Sequence, residues 1–241
     1  MTEKLYTDDE RRVIAQYQRV CETVAAACAQ AGRAFEDVTL IGVTKTVAPP
    51  LIIAAIDAGL RAIGENRVQE YLSKKEDLHL EDVTRHLIGH LQTNTVRQIV
   101  GEVDMIQSVD SEKLASAIER VSAERRIVTP VLVEVNIGGE ESKSGVAPEQ
   151  LEELLYKMAD FSHISVHGLM TIPPISDTET KKRHYFSKMK QLFIDIRGKN
   201  IHNIDMRVLS MGMSGDYVSA ILEGATMIRV GTAIFGERFY V

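Results

Sequence analysis

Eight short apolar runs alternate with segments of helical spacing, and this alternation constrains the fold more than any other feature of the chain. Val38–Thr44, Leu60–Ile63, Arg85–Ile88, Val103–Val109, Pro130–Ile137, Ile164–Met170, Met206–Ser210 and Thr226–Val230 read as strands. Pro49 and Pro50 open a helix that runs to Ala58 and is closed by Gly59. Further helices are expected over Val68–Glu76 and Thr93–Val100, and after caps at Asp110 or Ser111, Asp177 and Ser214, with another opened by Pro148. A longer helix leads the chain. Thr7-Asp8-Asp9-Glu10 has the form of a capping box, Val13, Tyr17, Val20, Val24, Cys28 and Ala31 share a face, and Gly32 is the stop signal. Eight strand–helix units with no domain-sized remainder predict an α/β protein, a single (β/α)8 TIM-type barrel over 1–241 with residues 1–32 as an extra N-terminal helix. The alternative is a doubly wound open sheet. No Gly-x-Gly-x-x-Gly follows the first strand, which weakens a dinucleotide-binding version of it.

The chain carries 34 acidic against 28 basic residues, a formal net charge of −6, which argues against binding nucleic acid through its phosphates. Cys21 and Cys28 lie on one face of the leading helix, too far apart for a disulfide, and read as small core-facing residues in a reducing compartment. The N-terminus has no apolar signal core and no run approaches membrane-spanning length. A cytoplasmic protein with no membrane partner is expected.

In such a barrel the chemistry collects at the carboxyl ends of the strands. Lys45 sits there, at the corner between the first strand and the Pro49 helix; taken alone it is equally a solvated loop charge. The loops after strands seven and eight occupy the usual phosphate position. Ser210, Gly212 and Ser214 in the first, and Gly231 and Thr232 in the second, offer small residues, hydroxyls and free N–H groups. Alternation in Met227-Ile228-Arg229-Val230 turns Arg229 into the mouth if Ile228 and Val230 face the helices. A buried guanidinium needs a partner, either a carboxylate such as Glu65 or Glu237 or a heteroatom of a ligand. An amine, an anion site and an inward arginine together suggest a phosphorylated aldehyde, because a desolvated lysine forms Schiff bases readily. Pyridoxal 5′-phosphate has the aldehyde for Lys45, the phosphate for the last two loops and the ring nitrogen for Arg229. His86 and His90 straddle a strand end with no adjacent Glu, so a pocket-lining His90 is favoured over a zinc pair and no metal is expected. Glu140–Gly145 reads as an ordinary surface loop, with a mobile loop over the mouth as the alternative.

Six segments, Gly42–Lys45, Gly64–Glu70, His86–Gln92, His167–Ile172, Leu209–Asp216 and Arg229–Gly236, run in order through nearly the whole chain. They resemble those of the pyridoxal phosphate homeostasis proteins, which are themselves similar to the barrel domain of alanine racemase. The resemblance implies pyridoxal 5′-phosphate bound to Lys45, phosphate contacts at Ser210, Gly212, Gly231 and Thr232, a contact from Arg229 to the pyridine nitrogen, and a pocket role for Asn66. It implies a protein of intracellular B6 homeostasis without established turnover, binding this and related vitamers and passing the cofactor to apo-enzymes. An arginine at the ring nitrogen weakens the electron sink that carbanion chemistry needs. Alanine racemases continue into a second domain and dimerise to bring a tyrosine base to the cofactor. This chain stops soon after its eighth strand, so a monomer without that base is expected, and Tyr71, Tyr185 and Tyr217 read as helix-packing residues. The alternatives are a racemase-like enzyme and a phosphosugar barrel using Lys45 as an aldolase-like amine.

Overall fold

Parallel strands that are apolar on both sides bury both faces by closing on themselves beneath a layer of helices. The computed structural model, which describes residues 5–78, 80–140, 143–176 and 178–237, has this form. The strands are β1 (Thr39–Val43), β2 (Ala62–Glu65), β3 (Thr84–Leu87), β4 (Met105–Val109), β5 (Thr129–Glu134), β6 (Ile164–Met170), β7 (Ile204–Ser210) and β8 (Met227–Val230). They pair in parallel and in chain order, and β8 returns to β1, with Leu40 opposite Ile228 and Ile41 opposite Arg229. The helices are α1 (Asp8–Gln30), α2 (Pro49–Asp57), α3 (Val68–Lys74), α4 (Val96–Ile99), α5 (Glu112–Arg125), α6 (Leu151–Ala159), α7 (Glu179–Gly198), α8 (Tyr217–Leu222) and α9 (Thr232–Phe235). The (β/α)8 barrel expected from the alternation is the fold. Among the described residues no helix is long and apolar enough to cross a membrane.

The strand period of two sorts every side chain to one of two cores. Ile41, Ala62, Met105, Leu132, Met170 and Met227 pack together inside the barrel. Their chain neighbours, among them Leu40, Ile63, Ile106, Val131, Val133 and Ile228, belong to the larger core between strands and helices. Helix α1 has the reciprocal capping box at Thr7 and Glu10 and buries Val13, Tyr17, Val20, Val24 and Cys28, while Cys21 is half-buried. It lies across α2, α8 and α9, over the seam where the first and last units meet. Just beyond it, Arg33 donates to the carbonyls of Ala225 (2.7 Å) and Asp37 (2.9 Å), tying this strap to the loop before β8.

Several helix starts differ from expectation. The Thr93–Val100 helix shortens to Val96–Ile99, and Pro148 opens a single 3-10 turn, Pro148–Gln150, before α6. Asp177 lies outside the described residues; the N-cap of α7 is Thr178, whose side chain accepts from the Lys181 N–H. Ser214 does not cap the helix after β7. That helix begins at Tyr217, because Asp216 instead accepts the Met213 N–H and folds the preceding loop into a turn of its own.

The register between β6 and β7 shifts between Val166 and Gly168. Gly168 has φ +147°, and a Cβ built there lies 1.8 Å from the carbonyl oxygen of Val208. We expect Gly168→Ala to cost roughly 3 kcal/mol or more, through left-handed strain plus a backbone clash that only a shift of β7 relieves. Equilibrium urea denaturation of the two proteins measures this.

Candidate functional site

The carboxyl ends of the strands surround a cavity of about 530 Å³. Its wall follows from the same alternation. On β1, Ile41 points inward, and two and four residues on are Val43 and Lys45, both on the wall. On β5 the step runs from Leu132 to Glu134, and on β8 from Met227 to Arg229. Asn66 and Ile88 follow β2 and β3 in the same way, and Ile172 follows β6. The mouth is therefore the inward layer above the last apolar one.

Lys45 is half-buried on this wall, and among the described residues none is hydrogen-bonded or ion-paired to its amine. Opposite it in the sheet register runs β8. Arg229 is 3 % exposed and donates from Nη1 to Ser210 Oγ (2.6 Å) and from Nη2 to the Thr171 carbonyl (2.8 Å). Burial lowers its pKa to about 10, against the pull of Glu134 and Asp216. Two of its five N–H groups are used in these bonds, which leaves donors for a group in the cavity. Of the two options for its partner, a carboxylate such as Glu65 or Glu237 is not bonded to it; Glu65 is turned away from the mouth and bonded to Thr44 and Lys74.

Behind Arg229 a polar chain descends through the barrel. Ser210 Oγ donates to Gln107 Oε1 (2.7 Å), and Gln107 Nε2 donates to His86 Nδ1 (3.1 Å). An accepting Nδ1 leaves the His86 proton on Nε2, facing Thr84 Oγ1 at 3.2 Å. Burial pushes the His86 pKa down to about 4, so the ring is neutral at pH 7. His86 and His90 are thus separated, the first inside the barrel and the second at the mouth, 3.6 Å from Asp110.

The two last loops meet as expected, although by other atoms. Met213, Ser214, Gly215, Gly231 and Thr232 line the cavity. Ser214 Oγ accepts the N–H groups of Gly231 (3.1 Å) and Ala233 (3.3 Å), pinning one loop to the other. The N–H groups of Ser214, Gly215 and Thr232 have no acceptor among the described residues. Unpaired backbone donors on a concave wall form a receptor for an anion's oxygens. Ser210 and Gly212 stand behind the wall rather than on it. The Ser210 hydroxyl is held by Arg229 and Gln107, and Gly212, at φ +96°, packs against Ala220 while its carbonyl accepts the Arg229 N–H. The structure thus brings Lys45, Asn66, Arg229, Gly231 and Thr232 together, and sets Ser210 and Gly212 to hold Arg229.

Sequence reading passed over Glu134. Its parity with Leu132 along Pro130–Ile137 was the available signal. It is 6 % exposed, and burial first, then Asp110, raises its pKa to about 7, with Arg229 opposing. The Glu140–Gly145 loop also reaches the site: Lys143 and Ser144 are on the wall, Ser144 3.4 Å from His90. Glu141 and Ser142 of that loop lie outside the described residues.

The family model for the alanine racemase N-terminal domain matches residues 21–239. The pyridoxal phosphate homeostasis protein of Aquifex aeolicus is 45% identical over 222 residues, 92% of this chain and 96% of that protein. This chain belongs to the pyridoxal phosphate homeostasis protein family. Among solved structures, a protein of Bifidobacterium adolescentis, described as unknown, matches this family member with TM-score 0.91 at 41% identity, over 97% of this chain and 98% of that one. PipY of Synechococcus elongatus, solved with PLP bound, matches with TM-score 0.79 at 34% identity, over 88% of this chain and 100% of that one.

Two of the shifted groups in the barrel, Glu134 and His86, give stability a defined pH dependence between about pH 4 and 7. Glu134 titrates near 7 in the folded protein against an ordinary 4.5. Between these values the folded protein keeps a proton that the unfolded chain has released, so this contribution is lost as pH rises through the window. His86, lowered from 6.5 to about 4, contributes oppositely, its share being lost as pH falls through that interval. Glu134→Gln removes the first contribution alone. Its stability relative to the parent protein should rise between pH 4.5 and 7. The gain should reach about 3 kcal/mol in denaturation at stepped pH.

Proposed function

We propose that this protein binds pyridoxal 5′-phosphate in the barrel mouth and acts in intracellular B6 homeostasis, holding the vitamer and handing it to apo-enzymes. The observation that carries the reading is the convergence, in one cavity, of the Lys45 amine, the donors of Arg229 and the N–H groups of Ser214, Gly215 and Thr232, of which the amine and the N–H groups have no partner among the described residues. These are the partners that an aldehyde, a pyridine nitrogen and a phosphate require. The PLP bound in PipY and the name of the Aquifex aeolicus relative support the same reading.

The cofactor supplies a reactive aldehyde; the chain supplies binding and orientation. Lys45 would hold the aldehyde carbon as a Schiff base, with loss of water. The N–H groups of Ser214, Gly215 and Thr232 would seat the phosphate, and the side chain of Asn66 would border the ring. Arg229 only donates, so it meets an unprotonated ring nitrogen. That arrangement suits retention of the vitamer rather than carbanion chemistry, and release follows when another amine displaces Lys45. In this reading the protein works as a cytoplasmic monomer. Light scattering on the loaded and unloaded protein checks the monomer.

One observation favours a second reading, racemase-like turnover: Glu134, titrating near 7 inside the cavity, is suited to moving a proton. Steady interconversion of a free amino acid, abolished by Glu134→Gln, would establish it.

Loading with pyridoxal 5′-phosphate should give the visible absorption band of an imine. Lys45→Ala should lose that band and retain the cofactor at least tenfold more weakly, for loss of about 1.4 kcal/mol or more of binding. Transfer to a pyridoxal-dependent apo-enzyme, followed by its recovered activity, tests delivery; a cofactor that never leaves counts against it.

A further inference from the structure

The two peptide units that flank Lys45 are both held from α3. On one side the Thr44 carbonyl accepts from Lys74 Nζ at 2.9 Å. On the other, the Thr46 N–H donates to Glu70 Oε1. The two anchors are joined, since Lys74 Nζ lies 2.6 Å from the same Glu70 oxygen. Its third contact is Glu65 Oε1 at 3.0 Å, an oxygen that also accepts from Thr44 Oγ1 at 2.8 Å. An ammonium has three N–H groups, and here each has one acceptor. The side chains of Lys74 and Glu65 are 13% and 4% exposed, so water competes little for these bonds.

The clamp acts on a turn that would not hold its shape unaided. Thr46 has φ +58°, a left-handed conformation that is a genuine outlier for a β-branched residue and persists only when the surroundings fix it. The turn is closed by the Val47 N–H donating to the Thr44 carbonyl at 3.0 Å, the same oxygen that Lys74 holds. Lys45 lies between the two anchored peptides, and its inward direction depends on them.

We propose that Lys74 and Glu70 are positioning residues for Lys45, fixing the peptides on both sides of it so that its amine faces the cavity. The proposal rests on the reading of Lys45 as the residue that meets the aldehyde. It also explains why two lysines near one corner differ in chemistry. Lys74 has every N–H engaged, by the Glu65 and Glu70 carboxylates and the Thr44 carbonyl, and is a structural cation, whereas no described residue engages Lys45. An ion pair serving α3 alone would bond along the helix, as the Lys74–Glu70 contact does. This one continues into the backbone of a different loop.

The test is a Glu70 series read with two ligands. Pyridoxal 5′-phosphate forms the imine; pyridoxine 5′-phosphate has the same ring and phosphate but no aldehyde. Glu70→Ala should lower the imine equilibrium constant about tenfold, the worth of one charge-assisted hydrogen bond. It should leave pyridoxine 5′-phosphate affinity unchanged. Glu70→Gln keeps an acceptor for Thr46 and should restore most of the imine. Thr46→Gly, which frees the turn and leaves the charges in place, should reproduce the loss and serves if Glu70→Ala fails to fold. Equal loss of both ligands would mean a damaged cavity and would overturn the positioning role. A parent protein that forms no imine overturns the reading of Lys45 and the clamp with it. An imine in the parent that Glu70→Ala and Thr46→Gly leave intact overturns the clamp alone.

Discussion

A guanidinium inside a barrel of apolar side chains is tolerable only while its hydrogen bonds are made, and the upper half of this protein is arranged around that demand. Arg229 is held by Ser210 and by the Thr171 carbonyl, and its own N–H goes to Gly212. Those three contacts come from the ends of β6 and β7, so the cation joins the last three strands at their carboxyl ends. The carboxyls within its influence, Glu134 and Asp216, are both raised by burial. Burial thus favours the protonated forms of both carboxyls beside the guanidinium, at the place where an anionic ligand would sit.

Below Arg229 the chain through Ser210, Gln107 and His86 gives each polar group a partner. Neutral His86 adds no second charge to the interior. Above it, the wall is the same pleat carried one step past the last apolar layer. Glu134 and Arg229 are set by covalent spacing from Leu132 and Met227, residues that cannot rotate outward without opening the barrel, whereas Lys45 lies just past the end of β1 in the turn that follows it. Rigid strands place these groups, while loops supply the backbone donors, a division suited to a site needing both fixed charges and close backbone approach.

Much of this was legible in the residues. Alternating runs fixed the number of strands, because each must be buried on both faces. Parity placed Arg229 inward from only four residues, Met227 to Val230. What sequence missed had distinct physical causes. Ser210 was expected at the end of the seventh strand as a phosphate contact, and β7 does end there, but the hydroxyl turns inside, where Arg229 and Gln107 take both of its hydrogen-bonding roles. Ser214 has the residue type of a helix cap, but Asp216 claims the local N–H and delays α8 by a turn. The partner of Glu65 came from α3, and a contact between a strand end and the following helix has no one-dimensional signature. Glu134 shows the opposite case, since the alternation that located Arg229 also applies along β5.

The pairing of Ile41 with Arg229 places residues from near the two ends of the chain side by side. The mouth therefore does not exist in any partly synthesised chain: until β8 has docked on β1, Lys45 and the anion-receiving loops are parts of separate fragments. Such non-local closure comes late and slowly in folding. A ligand that bridges the seam favours the completed ring over every open intermediate.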